Sequence, residues 1–201
     1  MKQKIRLAIF ASGNGTNAEN MINHFKIHPK IEVHSLLCNN PEAYVLKRIK
    51  PYNVNQKIFN KEDFYETDEI TSYLDWYEID YLVLAGFLWL IPEKITKTFQ
   101  DKIINIHPAL LPAYGGKGMY GMNVHKAVLA NHEKETGISI HLVNAKYDEG
   151  KILFQAKIPV ESTDTAETVA AKIHELEQTY FAKTVEEFIS KPAIPKRENY
   201  S

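Results

Sequence analysis

Asn105-Ile106-His107-Pro108 sets an amide and an imidazole two residues apart. Side chains alternate faces along an extended strand, so Asn105 and His107 project the same way. An amide N–H can donate to an oxygen that gains negative charge when an acyl carbon is attacked. An imidazole can carry a proton near neutral pH, or hold positive charge beside that oxygen. The same two residues equally suit a structural role, capping backbone groups of the loop that begins at Pro108. A third candidate is Asp148, in Tyr147-Asp148-Glu149-Gly150. A carboxylate beside an imidazole raises its pKa, orients it and relays a proton that an attacking amine must lose. An ordinary turn next to Gly150 would also use an aspartate. Amide, imidazole and acid together can transfer an acyl group without a metal.

These groups need a scaffold. The run at 102–106 reads as a strand, and Pro108 cannot extend a sheet ladder, so His107 falls where strand gives way to loop. In open parallel sheets ligands bind at that end of the strands. Residues 5–10 read as a first buried strand. Ala11-Ser12-Gly13-Asn14-Gly15-Thr16-Asn17 follows, then from Ala18 a helix with Met21, Ile22 and Phe25 on one face. Strand, glycine turn and helix start make an anion site, with free N–H groups and the helix dipole favouring a phosphate. An ordinary tight turn between strand and helix has the same outline. Gly13-x-Gly15-x-x-Ala18 also fits the dinucleotide pattern loosely. That pattern requires an acid at the end of the second strand. The strand at 31–37 runs instead into Cys38-Asn39-Asn40-Pro41, which counts against NAD and leaves a simpler phosphate ester.

The remaining pattern is a helix at 44–49, an edge strand at 56–59, and a helix at 62–77 capped by Asn60. An apolar central strand at 81–85 ends in Gly86-Phe87-Leu88-Trp89-Leu90-Ile91-Pro92, which is either plain core or the wall of a pocket for a flat ring. A short helix at 95–99, a glycine-rich loop at 113–121, a helix at 123–131, strands at 137–143 and 152–160, and a helix capped by Thr165 and running to about 188 complete the chain. Strands alternating with helices predict an α/β fold: a doubly wound, mostly parallel sheet with helices on both faces. One domain is expected over 1–190, with a loose tail at 191–201 that holds Pro192 and Pro195.

A chain of 201 residues suits one domain and a full core. A net charge of −1 gives no pull toward nucleic acid or an anionic membrane. The single Cys38 excludes an internal disulfide and a multi-thiolate metal site, and fits a reducing compartment. The first apolar run is too brief for a signal peptide or membrane span. The expectation is a cytoplasmic enzyme or binding domain; nothing in the sequence fixes an oligomeric state.

Five segments in order carry a resemblance: Ser12-Gly13-Asn14-Gly15-Thr16-Asn17, Leu84-Ala85-Gly86-Phe87, Asn105-Ile106-His107-Pro108-Ala109-Leu110-Leu111-Pro112, Gly137-Ile138-Ser139-Ile140-His141 and Asp148-Glu149-Gly150. Together they resemble the folate-dependent formyltransferase family, on its phosphoribosylglycinamide formyltransferase branch, over almost the whole chain. The resemblance implies a Rossmann-like formyltransferase fold. It also implies transfer of a formyl group from 10-formyltetrahydrofolate, as cosubstrate, to the amine of glycinamide ribonucleotide in purine synthesis, with no metal. Asn105, protonated His107 and Asp148 match the catalytic residues. Gly13, Asn14, Gly15, Thr16 and Asn17 match the loop that holds the substrate phosphate, and Glu177 a carboxylate on its ribose. Leu88, Trp89, Leu90 and Ile91, with Asn105, Asn144, Ala145, Lys146, Tyr147 and Asp148, match the surroundings of the folate; Lys61 falls where the family commonly has an arginine near it.

The departures are Trp89 at a frequent arginine, a longer loop at 115–122, Asp-Glu-Gly in place of Asp-Gly-Gly, and Ala109 in place of a frequent serine. The rival readings are methionyl-tRNA formyltransferase and formyltetrahydrofolate hydrolase, each expected to carry an extra domain, and a non-catalytic nucleotide-binding domain that uses only the 13–17 loop.

Overall fold

In the first strand, β1 (Ile5–Ala11), successive apolar side chains go to opposite sides. Leu7, Ile9 and Ala11 enter one core, and Ala8 and Phe10 another, all fully buried. A strand apolar on both faces must be covered on both, so this segment demands helices above and below the sheet. The computed structural model, which describes residues 4–191, supplies them.

Helix α1 (Thr16–Phe25) follows β1, then β2 (Ile31–Cys38), α2 (Tyr44–Arg48), β3 (Asn55–Ile58), α3 (Glu69–Trp76), β4 (Tyr81–Leu84), α4 (Glu93–Thr98), β5 (Ile103–His107), α5 (Met122–Ala130), β6 (Glu135–Leu142), β7 (Ile152–Pro159) and α6 (Ala166–Ser190). The seven strands form one sheet in the order β3-β2-β1-β4-β5-β6-β7. Strands β1 to β5 pair in parallel, while β6 and β7 pair antiparallel. One face is covered by α1 and α6, through Met21, Ile22, Phe25, Val169, Ile173, Phe181 and Val185. The other is covered by Phe64, Ile70, Leu74 and Ile95.

The chain runs outward from β1 to β3, then returns to place β4 on the other side of β1. The loops after β1 and β4 diverge at that switch point and leave a crevice beyond the strand ends. At its base they are joined, where Ser12 N–H donates to Gly86 O (3.1 Å) and Leu88 N–H to Ser12 Oγ (3.1 Å).

The helix expected at 62–77 is two pieces, a π-helical turn at Glu62–Glu66 and then α3. Thr67 breaks it. Its backbone is extended (φ −109°, ψ 174°), and its hydroxyl donates to Asp63 O and accepts from Glu69 N–H. A hydroxyl offering the backbone a local alternative competes with helix propagation. Asn60 does cap the first piece: its Oδ1 accepts from Asp63 N–H (3.0 Å), and Asp63 answers at Asn60 N–H (2.9 Å). Thr165 caps α6 with Thr168 in the same reciprocal way. Among the described residues no helix is long and apolar enough to cross a membrane. Residues 192–201, most of the expected tail, lie outside the described residues.

Candidate active site

A cavity of about 680 Å³ lies over the ends of β1, β4 and β5. Its walls include the 13–17 loop, residues 84–91, Asn105 to Pro108, the 116–122 loop, the 146–148 turn and the His174 and Glu177 turn of α6. That is within the usual range for a small-molecule site.

At one end the backbone makes the surface. Gly15 caps α1 at φ 82°, and a Cβ there would stand 2.2 Å from Val45 Cγ2, so close approach and backbone sign both demand glycine. The first helical bond, Glu19 N–H to Gly15 O (2.9 Å), leaves the amides of the preceding turn without a helical acceptor. Arg48 braces the loop from behind, donating from Nε to Asn14 O (2.9 Å) and pairing with Glu19 (2.6 Å). Asn17 belongs to the expected phosphate loop, and its side chain turns toward α6. Its Nδ2 donates to Glu177 Oε2 (2.9 Å), and its Oδ1 accepts from Gln178 (3.0 Å), tying the loop to α6. His174 Nδ1 lies 3.6 Å from Glu177 Oε2, and that contact, partly offset by burial, raises the imidazole above its ordinary pKa. The imidazole on the wall beside the loop therefore holds a proton more readily than a free histidine does.

The middle is apolar. Leu84, Phe87, Leu88, Leu90, Ile91 and Val143 line it. Trp89 packs among Phe59, Phe64, Tyr65 and Phe87, and Tyr65 OH donates to Leu90 O (3.0 Å), so the 86–92 loop is both core and wall. Lys146 and Tyr147 line the cavity, while Lys61, Asn144 and Ala145 do not. Lys61 instead holds its ammonium 5.9 Å from the Trp89 ring centre, beside a separate shallow depression. Asn144 accepts from Lys146 N–H (2.9 Å), shaping the turn.

At the other end side chains converge. Strand β5 ends on His107, and its antiparallel pairing puts Asn105 directly opposite His141 of β6. Asn105 Nδ2 is 3.0 Å from His141 Nε2 and 3.5 Å from Asp148 Oδ1. Asp148 Oδ2 lies 3.7 Å from His107 Nδ1, and Oδ1 lies 3.5 Å from His141 Nε2. Asp148 reaches in from a left-handed backbone (φ 54°) and accepts from Gly116 N–H (2.9 Å). His107 Nε2 is 2.7 Å from Tyr114 O. Burial pulls Asp148 upward, but His141, the His107 ring and the Gly116 amide together hold its carboxyl below the ordinary value. For His107 the balance reverses. Burial lowers its pKa, and Asp148 and the Tyr114 carbonyl raise it without cancelling that loss. The acid beside the ring raises its pKa as expected, but desolvation outweighs that contribution.

Sequence reasoning passed over His141, His125, His174 and the Tyr114 carbonyl, all at or near the cavity. His141 shows in sequence as part of an alternating strand and of a segment that carries the resemblance, but its role depends on which strand it pairs with. Among the described residues no group of three or more His, Cys, Asp or Glu is placed to hold a metal ion.

The geometry can be set against known proteins. The family model described as formyl transferase matches residues 5–185. The chloroplastic phosphoribosylglycinamide formyltransferase of Arabidopsis thaliana is 37% identical over 188 residues, 87% of this chain and 62% of that protein. The phosphoribosylglycinamide formyltransferase of Bacillus subtilis is 31% identical over 191 residues, 92% of this chain and 94% of its own. The crystal structure of the phosphoribosylglycinamide formyltransferase from Bacillus halodurans superposes with a TM-score of 0.83 at 33% identity, covering 92% of this chain and 96% of that one.

Proposed function

The chain belongs to the formyl transferase family, and from that membership we propose that it is a phosphoribosylglycinamide formyltransferase. It moves the formyl group of 10-formyltetrahydrofolate to the amine of glycinamide ribonucleotide, a step of purine synthesis. The observation that carries this reading is the layout of one cavity: Asn105, His107 and Asp148 meet at one end, and the glycine-cornered start of α1 forms the other. A sugar phosphate at the loop would direct its amine toward the acid and imidazole. The apolar wall between them suits a flat pteridine ring, and its loop carbonyls suit ring N–H groups.

In this mechanism the 13–17 loop and His174 hold the phosphate, and Glu177, steadied by Asn17, holds the ribose. Asn105 Nδ2 has two hydrogens; one faces His141, and the other, 3.5 Å from Asp148 Oδ1 in this structure, turns to the formyl oxygen. His107 Nε2–H, aimed at the Tyr114 carbonyl in this structure, turns to the same oxygen as it gains charge. The new bond joins the substrate nitrogen to the formyl carbon, and the bond from that carbon to the folate nitrogen breaks. Asp148, held as a carboxylate, supports charge on His107 and passes the amine proton, through water, to the departing folate nitrogen. His141 positions both Asn105 and Asp148. Residues 1–190 act as one catalytic unit in the cytoplasm, and the lone buried Cys38 supports a reducing compartment.

The test is a spectroscopic assay of folate deformylation with and without glycinamide ribonucleotide. Deformylation that requires the ribonucleotide is expected. Deformylation at equal rate without it would mean hydrolysis instead, and none at all would mean a binding domain.

A further inference from the structure

His125 is the buried imidazole that the mechanism does not use. It sits in the first half of α5, is 4% exposed, and lines the cavity. Its Nδ1 is enclosed without a hydrogen-bond partner, and among the described residues the ring makes no hydrogen bond or ion pair. Buried polar groups are nearly always satisfied, and leaving one unmade is destabilising. A histidine kept only for packing would do better as an apolar residue of the same size.

Its surroundings indicate what it waits for. The ring lies within electrostatic reach of both Glu177 and His107, between the ribose and reaction ends of the site. Burial holds it below its ordinary pKa, so the ring is neutral and carries one N–H. An enclosed lone pair without a partner is tolerated better than an enclosed N–H, which puts the proton on Nε2 and leaves Nδ1 bare. Nε2–H is then a donor offered to the cavity, near a carboxylate that can only accept. A hydroxyl satisfies both at once, giving its hydrogen to one and taking a hydrogen from the other. Phosphate oxygens and carbonyls cannot do so.

We propose that His125 is a substrate-binding residue that, with Glu177, brackets one hydroxyl of the substrate's sugar and so selects a ribose over a deoxyribose. This rests on the reading of the site as a sugar-phosphate pocket given above.

The test is steady-state kinetics of the full chain and of His125→Ala with glycinamide ribonucleotide and its 2′-deoxy and 3′-deoxy analogues. For the ribonucleotide His125→Ala should raise KM about tenfold, the worth of one neutral hydrogen bond, with kcat little changed. For the analogue lacking the bracketed hydroxyl, wild type and variant should have the same KM. His125→Asn, which keeps an N–H donor, should recover part of the loss, and it carries the test if His125→Ala does not fold. His125→Phe should melt no lower than wild type, since it removes an unsatisfied group. An unchanged KM, or an equal KM penalty on all three substrates, would overturn the proposal. Calorimetric binding of the same three ligands without folate reads this contact independently of turnover. Failed formyl transfer would therefore be a separate result from failed sugar selection.

Discussion

At the 13–17 loop the protein offers main chain; at the β5–β6 pair it offers side chains. The first surface comes from one contiguous stretch in the parallel half of the sheet, with its glycine forced by Val45 and its amides exposed by the start of α1. The second comes from residues 105, 107, 141 and 148, brought together by antiparallel pairing and a turn in a left-handed conformation. The amides of the first are suited to holding an anion without titrating. The second combines His107 and Asp148, whose proton affinities depend on each other, beside the His141 ring. If the two ends divide the labour between binding and chemistry, substitutions at each should affect different kinetic constants.

The largest effect belongs to the side-chain end. Asn105→Ala and Asp148→Ala should each lower kcat by about 10²–10³, the usual cost of losing an oxyanion donor or its support, while KM for glycinamide ribonucleotide stays within about threefold. A KM that rose in step with the fall in kcat would erase the distinction. Next, Gly15→Ala should raise that KM by tenfold or more and lower the melting temperature by roughly 5 °C, because its Cβ overlaps Val45. Turnover at saturating substrate should survive. A smaller change is expected for Asn17→Ala, about threefold in KM, as Glu177 loses its tether; this separates the loop's amides from its side chains.

The smallest effect is in pH dependence. An unfolded histidine protonates near pH 6.5, and His107 in the folded chain does so lower. As pH falls through that window the unfolded chain takes up a proton that the folded ring refuses, so stability drops. Urea unfolding between pH 5 and 8 should show a shallower loss toward acid for His107→Gln than for wild type. Equal slopes would mean that His107 protonates normally in the fold.

Local signals were readable where neighbours in sequence decide the structure. Ala18, Met21, Ile22 and Phe25 show their helical face, Thr165 its cap, and residues 5–10 their double burial, before any tertiary contact is considered. The break at Thr67 is local too, yet its apolar spacing matches an unbroken helix, and the hydroxyl's competition with the backbone outweighs that spacing. What the sequence hides is pairing. Strand β6 reads the same whether parallel or antiparallel, so nothing local says that His141 will face Asn105. His125 is obscured for a similar reason, since one histidine among apolar helix residues resembles core until α6 brings Glu177 near it. Resemblance to a family supplied Asp148 and Glu177, which residue spacing alone would have left as a turn and a solvated helix acid.

The β5–β6 pairing, with Asn105 across from His141 and His107 across from Ser139, bears on which length changes descendants of this chain can survive. Removing or adding one codon within β6 before His141 reverses every side chain beyond it, sending His141 to the far face and Leu142 or Ile140 toward the acid. The glycine-rich segment after Pro112 has no such parity to protect. Drift in gene length should therefore collect in that segment and be purged from the strand beyond α5.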